Sequence, residues 1–264
     1  MNIIGGDFGR KNVKIFTGQK MFHFSSVVGE ARERNLDNGY FRGDLEVEFE
    51  SEKYYVGDLA ERESDFRRYM MTKHKHHDDT KLLALTALHQ ADVTEVRLIT
   101  GLPVTSHKEE NKKKLKQLLQ GRHEIVVNGE KKTIIIMSVD VTVEGGAAFW
   151  SKPQDGLIRV VDGGSKTINY VTLNNRRYVD RESGTLDFGF ETNKSTNDKQ
   201  LVARVAGELG KKWEAEDVIW TVGGKASVLA DYLQPYFENV APMPNALYAN
   251  AMGYYKMGRV IYNV

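Results

Sequence analysis

Apolar positions along this chain repeat every two residues in some stretches and every three to four in others, which predicts strands alternating with helices. NIIGG (2–6), NVKIFTG (12–18) and KMFHFSSVV (20–28) read as strands, followed by a charged loop from Gly29 to Gly43. In DLEVEFESEKYYVGDLA, Leu45, Val47 and Phe49 alternate up to a turn near Glu50–Lys53, and Tyr54 to Val56 return, so a hairpin is predicted. DDTKLLALTALHQAD predicts a helix with one apolar face at Leu82, Leu85 and Leu88, and EVRLITGLPV a buried strand. Ser106 and Glu109 have capping-box spacing before Leu115, Leu118 and Leu119, so the next helix is expected to open at Ser106. EIVVNGEKKTIIIM is a hairpin with Asn128-Gly129 at its tip, and VDVTVEGGAAFW a strand that turns into a short helix at Glu144.

The pattern then restarts. GLIRVVDGGSKTINYVTL is strand, turn, strand, with hairpins expected over 177–190. A helix is predicted over 197–213, a strand in DVIWTVGG, a helix in KASVLADYLQPYF, and a last helix with Pro244 in its first turn before a terminal strand. Two related α/β halves are the expectation.

Composition adds boundaries. The net charge of +1 argues against a strongly basic face for nucleic acid and leaves a local basic patch open, so no direct DNA binding is expected. There is no cysteine, which removes disulfides and thiolate metal sites and fits a reducing setting. Asp7 and Arg10 interrupt any leader-like apolar run, and no apolar stretch is long enough for a bilayer, so a cytoplasmic setting without membrane contact is expected.

The candidate chemistry lies in two glycine turns. Asp7-Phe8-Gly9 follows Ile3-Ile4 and precedes Val13-Lys14-Ile15-Phe16; Asp162-Gly163-Gly164 follows Val160-Val161 and precedes Ile168-Asn169-Tyr170-Val171. Each is an apolar strand, an Asp-x-Gly turn and a second strand. Such glycines let backbone amides approach an anion. An aspartate at each strand end can hold hydrated Mg²⁺, which keeps several waters and binds through one or two carboxylates plus phosphate oxygens. Either turn alone is a common hairpin; the equivalently placed pair points to a phosphate clamp. A kinase Asp-Phe-Gly is disfavoured, because six residues precede Asp7 and no catalytic loop or glycine lid is expected upstream. A Walker loop is disfavoured because Ser165 separates Gly164 from Lys166, and a dinucleotide fingerprint because a strand follows the glycines.

Five segments in order, DFGRKNVKI, YYVGDLA, ITGLPV with VEGGAAF, VVDGGSKT with WTVGGKASVL, and NALYANAMGYYKMG, resemble the actin, heat-shock-70 and sugar-kinase superfamily. Within it the chain most resembles bacterial plasmid-segregation actins of the ParM/StbA type, especially compact AlfA-like members. The resemblance implies an actin-like (ribonuclease-H-like) two-domain α/β fold with a nucleotide cleft. Domain I would be 1–155, with an inserted subdomain IB at about 25–75; domain II would be 156–245; and 246–264 would be a helix and strand returning to domain I. It implies ATP, with GTP the open alternative, and Mg²⁺ positioned through water by Asp7 and Asp162. Gly9, Asn12, Lys14, Gly163, Gly164, Ser165 and Lys166 would serve the phosphates. Gly223, Gly224 and Lys225 would serve the adenosine, and Glu144 would orient the attacking water. The implied function is an ATPase forming filaments that segregate plasmid DNA through a DNA-binding adaptor. Two alternatives stay open: a non-polymerising small-molecule kinase of the same superfamily, and a nucleotide-switched binding protein.

One departure stands out. Only about sixty residues separate Asp162 from Gly223, so the fourth subdomain (IIB) of larger relatives is expected to be missing or reduced. Arg204, Glu208 and Lys211 are expected on a solvated helix face, as are the lysines of KEENKKKLK. KHKHHDD (73–79) is expected to be a polar surface loop and not a metal site, since its lysines repel a cation.

Overall fold

The computed structural model describes residues 2–36, 39–69, 75–192 and 197–264. The chain divides into two units, one of residues 1–100 and 109–141, the other of 101–108 and 142–264.

In the first unit the elements are β1 (Asn2–Phe8), β2 (Asn12–Phe16), β3 (Met21–Ser25), β4 (Val27–Glu30), β5 (Leu45–Phe49), β6 (Glu52–Val56), α1 (Asp58–Glu63), β7 (Arg68–Tyr69), α2 (Asp78–Gln90), β8 (Glu95–Leu102), α3 (Glu109–Leu119), β9 (Gly121–Val127) and β10 (Glu130–Val143). They form one ten-stranded sheet in the order β3-β2-β1-β8-β10-β9-β5-β6-β4-β7. β1 pairs antiparallel with β2 and parallel with β8, so it is central and apolar on both faces. The β9–β10 hairpin turns at Asn128 and Gly129, both at positive φ as a two-residue turn of primed type requires.

Three expectations change here. Helix α2 is buried on nearly all sides from Leu82 to His89 and is not amphipathic, because it is packed against β1, β2, β9 and α3. α3 starts at Glu109, since Ser106 closes a single 3₁₀ turn, Val104–Ser106. KMFHFSSVV is two strands, with Ser26 at the break.

The second unit contains α4 (Gly146–Phe149), β11 (Leu157–Gly163), β12 (Ile168–Asn174), β13 (Arg177–Tyr178), β14 (Gly184–Leu186), α5 (Asp198–Leu209), β15 (Val218–Val222), α6 (Ala226–Leu233), β16 (Asn239–Pro242) and α7 (Ala249–Ile261). Its sheet runs β13-β12-β11-β15-β16, with β14 also on β12. β13 and β14 both pair with β12, so 177–190 is not a succession of hairpins of its own. Between β12 and β15 the described residues form only β13, β14, a 3₁₀ turn (Asp180–Glu182) and α5, as expected where the fourth subdomain is reduced.

The two-residue period of the strands sorts this unit into layers. Val161, Ile168, Tyr170 and Ile219 point to the side of α5 and α6, joining Val202, Val205, Leu209 and Leu229. Ile158, Val160, Val171, Leu173 and Val222 point the other way, joining Phe149 and Ala249 of α4 and α7. By the same parity Asp162 and Asn169 lie on the α4–α7 face. Small residues bring the two helices together there: a Cβ built on Gly253 would lie 1.8 Å from the Ala147 carbonyl oxygen. α7 continues to Ile261 and a turn follows, so the expected terminal strand is not formed.

Gly253→Ala forces α7 away from the α4 backbone, and overpacking of this kind costs about 1–3 kcal/mol. The variant is expected to unfold at lower urea concentration than the wild type; coincident unfolding curves would contradict this packing.

Candidate functional site

The two Asp-x-Gly turns are built alike but compensated differently. In the first unit the strand register places Asp7 directly opposite Lys14. Lys14 Nζ donates to Asp7 Oδ2 at 3.0 Å, and Lys75 Nζ lies 3.9 Å from Oδ1. Asp7 and Lys75 are both buried. Burial alone would push the Asp7 carboxyl up, but the charges of Lys14 and Lys75 and the Lys14 hydrogen bond outweigh it and hold the carboxyl below its ordinary value. Gly9 is needed for this arrangement, since a Cβ there would sit 2.9 Å from Lys14 Nζ and 2.8 Å from the Asn12 carbonyl oxygen. Ser26 ties the turn from below: its hydroxyl donates to the Gly9 carbonyl at 2.6 Å and its amide to the Lys11 carbonyl at 2.8 Å. Asn12, the first residue of β2, is partly exposed opposite Ser25 of β3.

Lys75 was not anticipated. It belongs to the stretch expected as a surface loop, yet it is buried against a carboxylate 68 positions earlier in the chain. The rest of that stretch is structural where it is described. His77 Nδ1 accepts the Asp79 amide as an N-cap of α2, and Asp79 receives Arg68 at 2.7 Å. Lys73 and His74 lie outside the described residues. Among the described residues no group of three or more His, Asp or Glu side chains is placed to hold a metal directly.

In the second unit Asp162 stands opposite Asn169 and is buried. Asn250 Nδ2, from α7, donates to Asp162 Oδ2 at 2.8 Å. Asn250 Oδ1 accepts the Gly145 amide at 3.0 Å. Glu144, also buried, accepts from Asn169 Nδ2 at 3.3 Å, and its own amide donates to the Leu102 carbonyl. Asn169 Oδ1 accepts the Thr185 hydroxyl at 2.8 Å. Two glycines close on the aspartate. Gly145, at φ 74°, would place a Cβ 3.4 Å from the Asp162 Cβ, and Gly223, at φ 94°, would place one 3.0 Å from Asp162 Oδ1. Asp162, Glu144 and Gly223, spread over 80 positions of sequence, thus form one cluster within this unit.

The loop beyond Asp162 is held from behind. The Gly164 amide is used within the turn, on the Asp162 and Thr167 carbonyls at 3.1 Å each. Residues 189–192 brace its outer side: the Phe190 and Glu191 amides donate to the Gly164 and Ser165 carbonyls, and the Thr192 hydroxyl to that of Lys166. Gly163 is in contact range of the Phe190 ring, where a Cβ would come within 3.0 Å. Gly224 is open, with only Leu247 near. Lys225 is turned to Asp198 at 3.0 Å, on the first turn of α5. Arg204 lies exposed on α5 over the Phe188 ring, and Glu208, half-buried on the same helix, pairs with Lys211, which lies beyond the end of α5 at Leu209 and not on a helix face.

A family model described as the actin-like proteins N-terminal domain matches residues 5–146. Among solved structures, the chain is similar to AlfA from B. subtilis plasmid pLS32, solved as a filament, with TM-score 0.79, 23% identity and coverage of 96% of this chain and 97% of that one. It is similar to an AlfA filament bound to AMPPNP, with TM-score 0.75, 22% identity and coverage of 99% and 98%. It is also similar to a 15-stranded ParM filament from Clostridium botulinum, with TM-score 0.82, 19% identity and coverage of 98% and 99%. No curated protein matches the chain. The fold is therefore actin-like, α/β with two sheets, as the motifs implied.

Asp7 gives a test of the first turn by pH. Its carboxyl titrates in the fold below its ordinary value of 3.8, so its charged form stabilises the fold above that pH, and this contribution is lost as pH falls through the lower folded value. Lys14→Met removes a charge and a hydrogen bond and leaves burial, which acts in the opposite direction. Circular dichroism during acid titration is expected to show the variant unfolding at higher pH than the wild type. Superimposable titrations would contradict the pairing.

Proposed function

Because the chain belongs to the actin-like protein family, we propose that it is a nucleotide-driven filament former that hydrolyses ATP or GTP. The observation that carries this reading is the repetition of one device: a buried aspartate at the end of a central strand, followed by a glycine turn and a return strand, once in each unit. The two turns serve the phosphates of one nucleotide. Gly9, Asn12 and Lys14 act from the first, and Gly163, Ser165 and Lys166 from the second, where Gly164, its amide used within the turn, shapes the loop. Gly224, which is open, and Gly223 and Lys225 beside it serve the nucleoside.

The donor set fits Mg²⁺ held through water. Asp7 and Asp162 are single carboxylates already holding protein partners, which suits an outer-sphere role better than direct coordination by several side chains. When bound, Mg²⁺ supplies charge neutralisation at the phosphate oxygens. Glu144 does the chain's own part of the chemistry. Its carboxylate, oriented by Asn169, aligns the water whose oxygen forms the new bond to the γ-phosphorus as the bond to the bridging oxygen breaks, giving nucleoside diphosphate and phosphate.

Assembly is supported by two facts about similar proteins: AlfA and ParM are both seen as filaments, and one AlfA filament holds AMPPNP. A head-to-tail contact is heterologous and propagates without closing. The role proposed by family likeness is segregation of plasmid DNA through a separate DNA-binding adaptor, and the near-neutral net charge argues against extensive direct DNA contact. No helix among the described residues is long and apolar enough to cross a membrane.

Purified protein is expected to pellet and scatter light with ATP or GTP and Mg²⁺, and not without nucleotide. Glu144→Ala is expected to lower turnover on the order of 100-fold, the scale of losing a positioned carboxylate, while nucleotide-dependent pelleting persists. Absence of pelleting with ATP, GTP and their slowly hydrolysed analogues would reject filament formation, and full turnover by the variant would reject the role of Glu144.

A further inference from the structure

Asn250 is buried on the packed face of α7, where Ala249, Ala251, Gly253 and Tyr254 are also buried. A buried amide on such a face costs stability unless all its polar atoms are used. Here both ends are used, and both on the candidate site. The side-chain orientation is settled by chemistry, because one neighbour is a backbone N–H that can only donate and the other a carboxylate that accepts. The amide therefore bridges two segments that come from different places in the chain. One is the end of β11, which carries Asp162; the other is the turn after β10, which carries Glu144 and Gly145.

We propose that Asn250 is a positioning residue that fixes the spacing between the carboxylate facing the metal's water shell and the carboxylate that aligns the attacking water. The proposal rests on the functional reading above. Three observations support it. Asp162 Oδ2 is held by Asn250, which restricts the carboxylate to one rotamer with Oδ1 against Gly223. The Gly145 amide, adjacent to Glu144, ends on the same side chain, so Glu144 cannot shift along its turn without breaking that hydrogen bond. Asn169 completes a loop of contacts, because it stands opposite Asp162 in the hairpin and donates to Glu144.

The arrangement also couples the site to α7. The helix is seated by the approach of Gly253 to the Ala147 carbonyl, while Gly101 meets the ring of Tyr254 so closely that a Cβ would fall 1.9 Å from its hydroxyl oxygen. A displacement of α7 is thereby felt at Asp162 and Gly145 together, through one side chain.

Two substitutions separate positioning from packing. Asn250→Ala removes both hydrogen bonds. Asn250→Asp keeps the shape and the acceptor for Gly145 but turns the donor facing Asp162 into a second carboxylate. Three measurements on each full-length variant apply. Amide hydrogen exchange without nucleotide is expected to rise at Gly145 in Asn250→Ala and to stay near wild type in Asn250→Asp. Turnover is expected to fall about 10- to 100-fold in both, the loss typical of removing an outer-shell partner of a site. Affinity for a fluorescent ATP analogue in EDTA is expected to stay within about threefold of wild type, with the loss appearing only in Mg²⁺, since the phosphate-facing amides are untouched. Should Asn250→Ala fail to fold, Asn250→Asp alone decides. Wild-type turnover and Mg²⁺-dependent affinity in Asn250→Asp would overturn the assignment to Asn250 and leave the functional reading standing. A wild-type chain that neither binds nor hydrolyses nucleotide would overturn both.

Discussion

A carboxylate buried at the end of a central strand is tolerated only if something compensates its charge or satisfies its oxygens. This chain contains two, Asp7 and Asp162, and much of the architecture around the candidate site can be read as the answer to that requirement. In the first unit the answer is cationic. The β1–β2 register places Lys14 opposite Asp7, and the chain returns after β7 to bring Lys75 to the same side chain. In the second unit the answer includes a side-chain amide. An amide from α7 and two close glycines enclose Asp162, and a second amide connects its hairpin to Glu144. The first arrangement sets two lysines around one carboxylate; the second ties Asp162 to α7.

The hairpins themselves need little explanation beyond strand parity and small residues. Alternation along β11 and β12 sends Val161 and Ile168 to the α5–α6 core, and Asp162 and Asn169 to the opposite face, where α4 and α7 pack. Gly9, Gly145 and Gly223 are required where another chain segment comes within 2.8–3.4 Å of a would-be Cβ. A polar cluster is thus carried on the edge of two apolar cores, close enough to the strand ends for the turns to reach a ligand.

Much of this was legible in the sequence, and the reasons differ by residue. Asp7, Lys14 and Asp162 were legible because an apolar strand, an acidic residue, a glycine and a second strand follow one another within about ten positions. The β9–β10 turn was legible because Asn-Gly has a strong conformational preference. Lys75 was not, because its partner is 68 positions away and its neighbours in sequence are polar. Asn250 was not, because one amide on a small-residue helix leaves no periodic trace; its one signal is that an unpaired amide would be costly there. The start of α3 was misplaced because Ser106 and Glu109 match a capping box by spacing alone, while the backbone uses Ser106 in a 3₁₀ turn. The last residues are rich in β-branched and aromatic side chains, but α7 continues through Val260 and Ile261, which remain largely exposed. Local β preference there yields to continuation of the helix.

The central claim is that one nucleotide is held by both turns. A structure of the protein with Mg²⁺ and a slowly hydrolysed ATP analogue tests it most directly. The account predicts phosphate density against the turn after Asp7 and against that after Asp162, with both carboxylates directed at the water shell of one metal ion. Nucleotide held by one turn alone, or bound away from both, would contradict it.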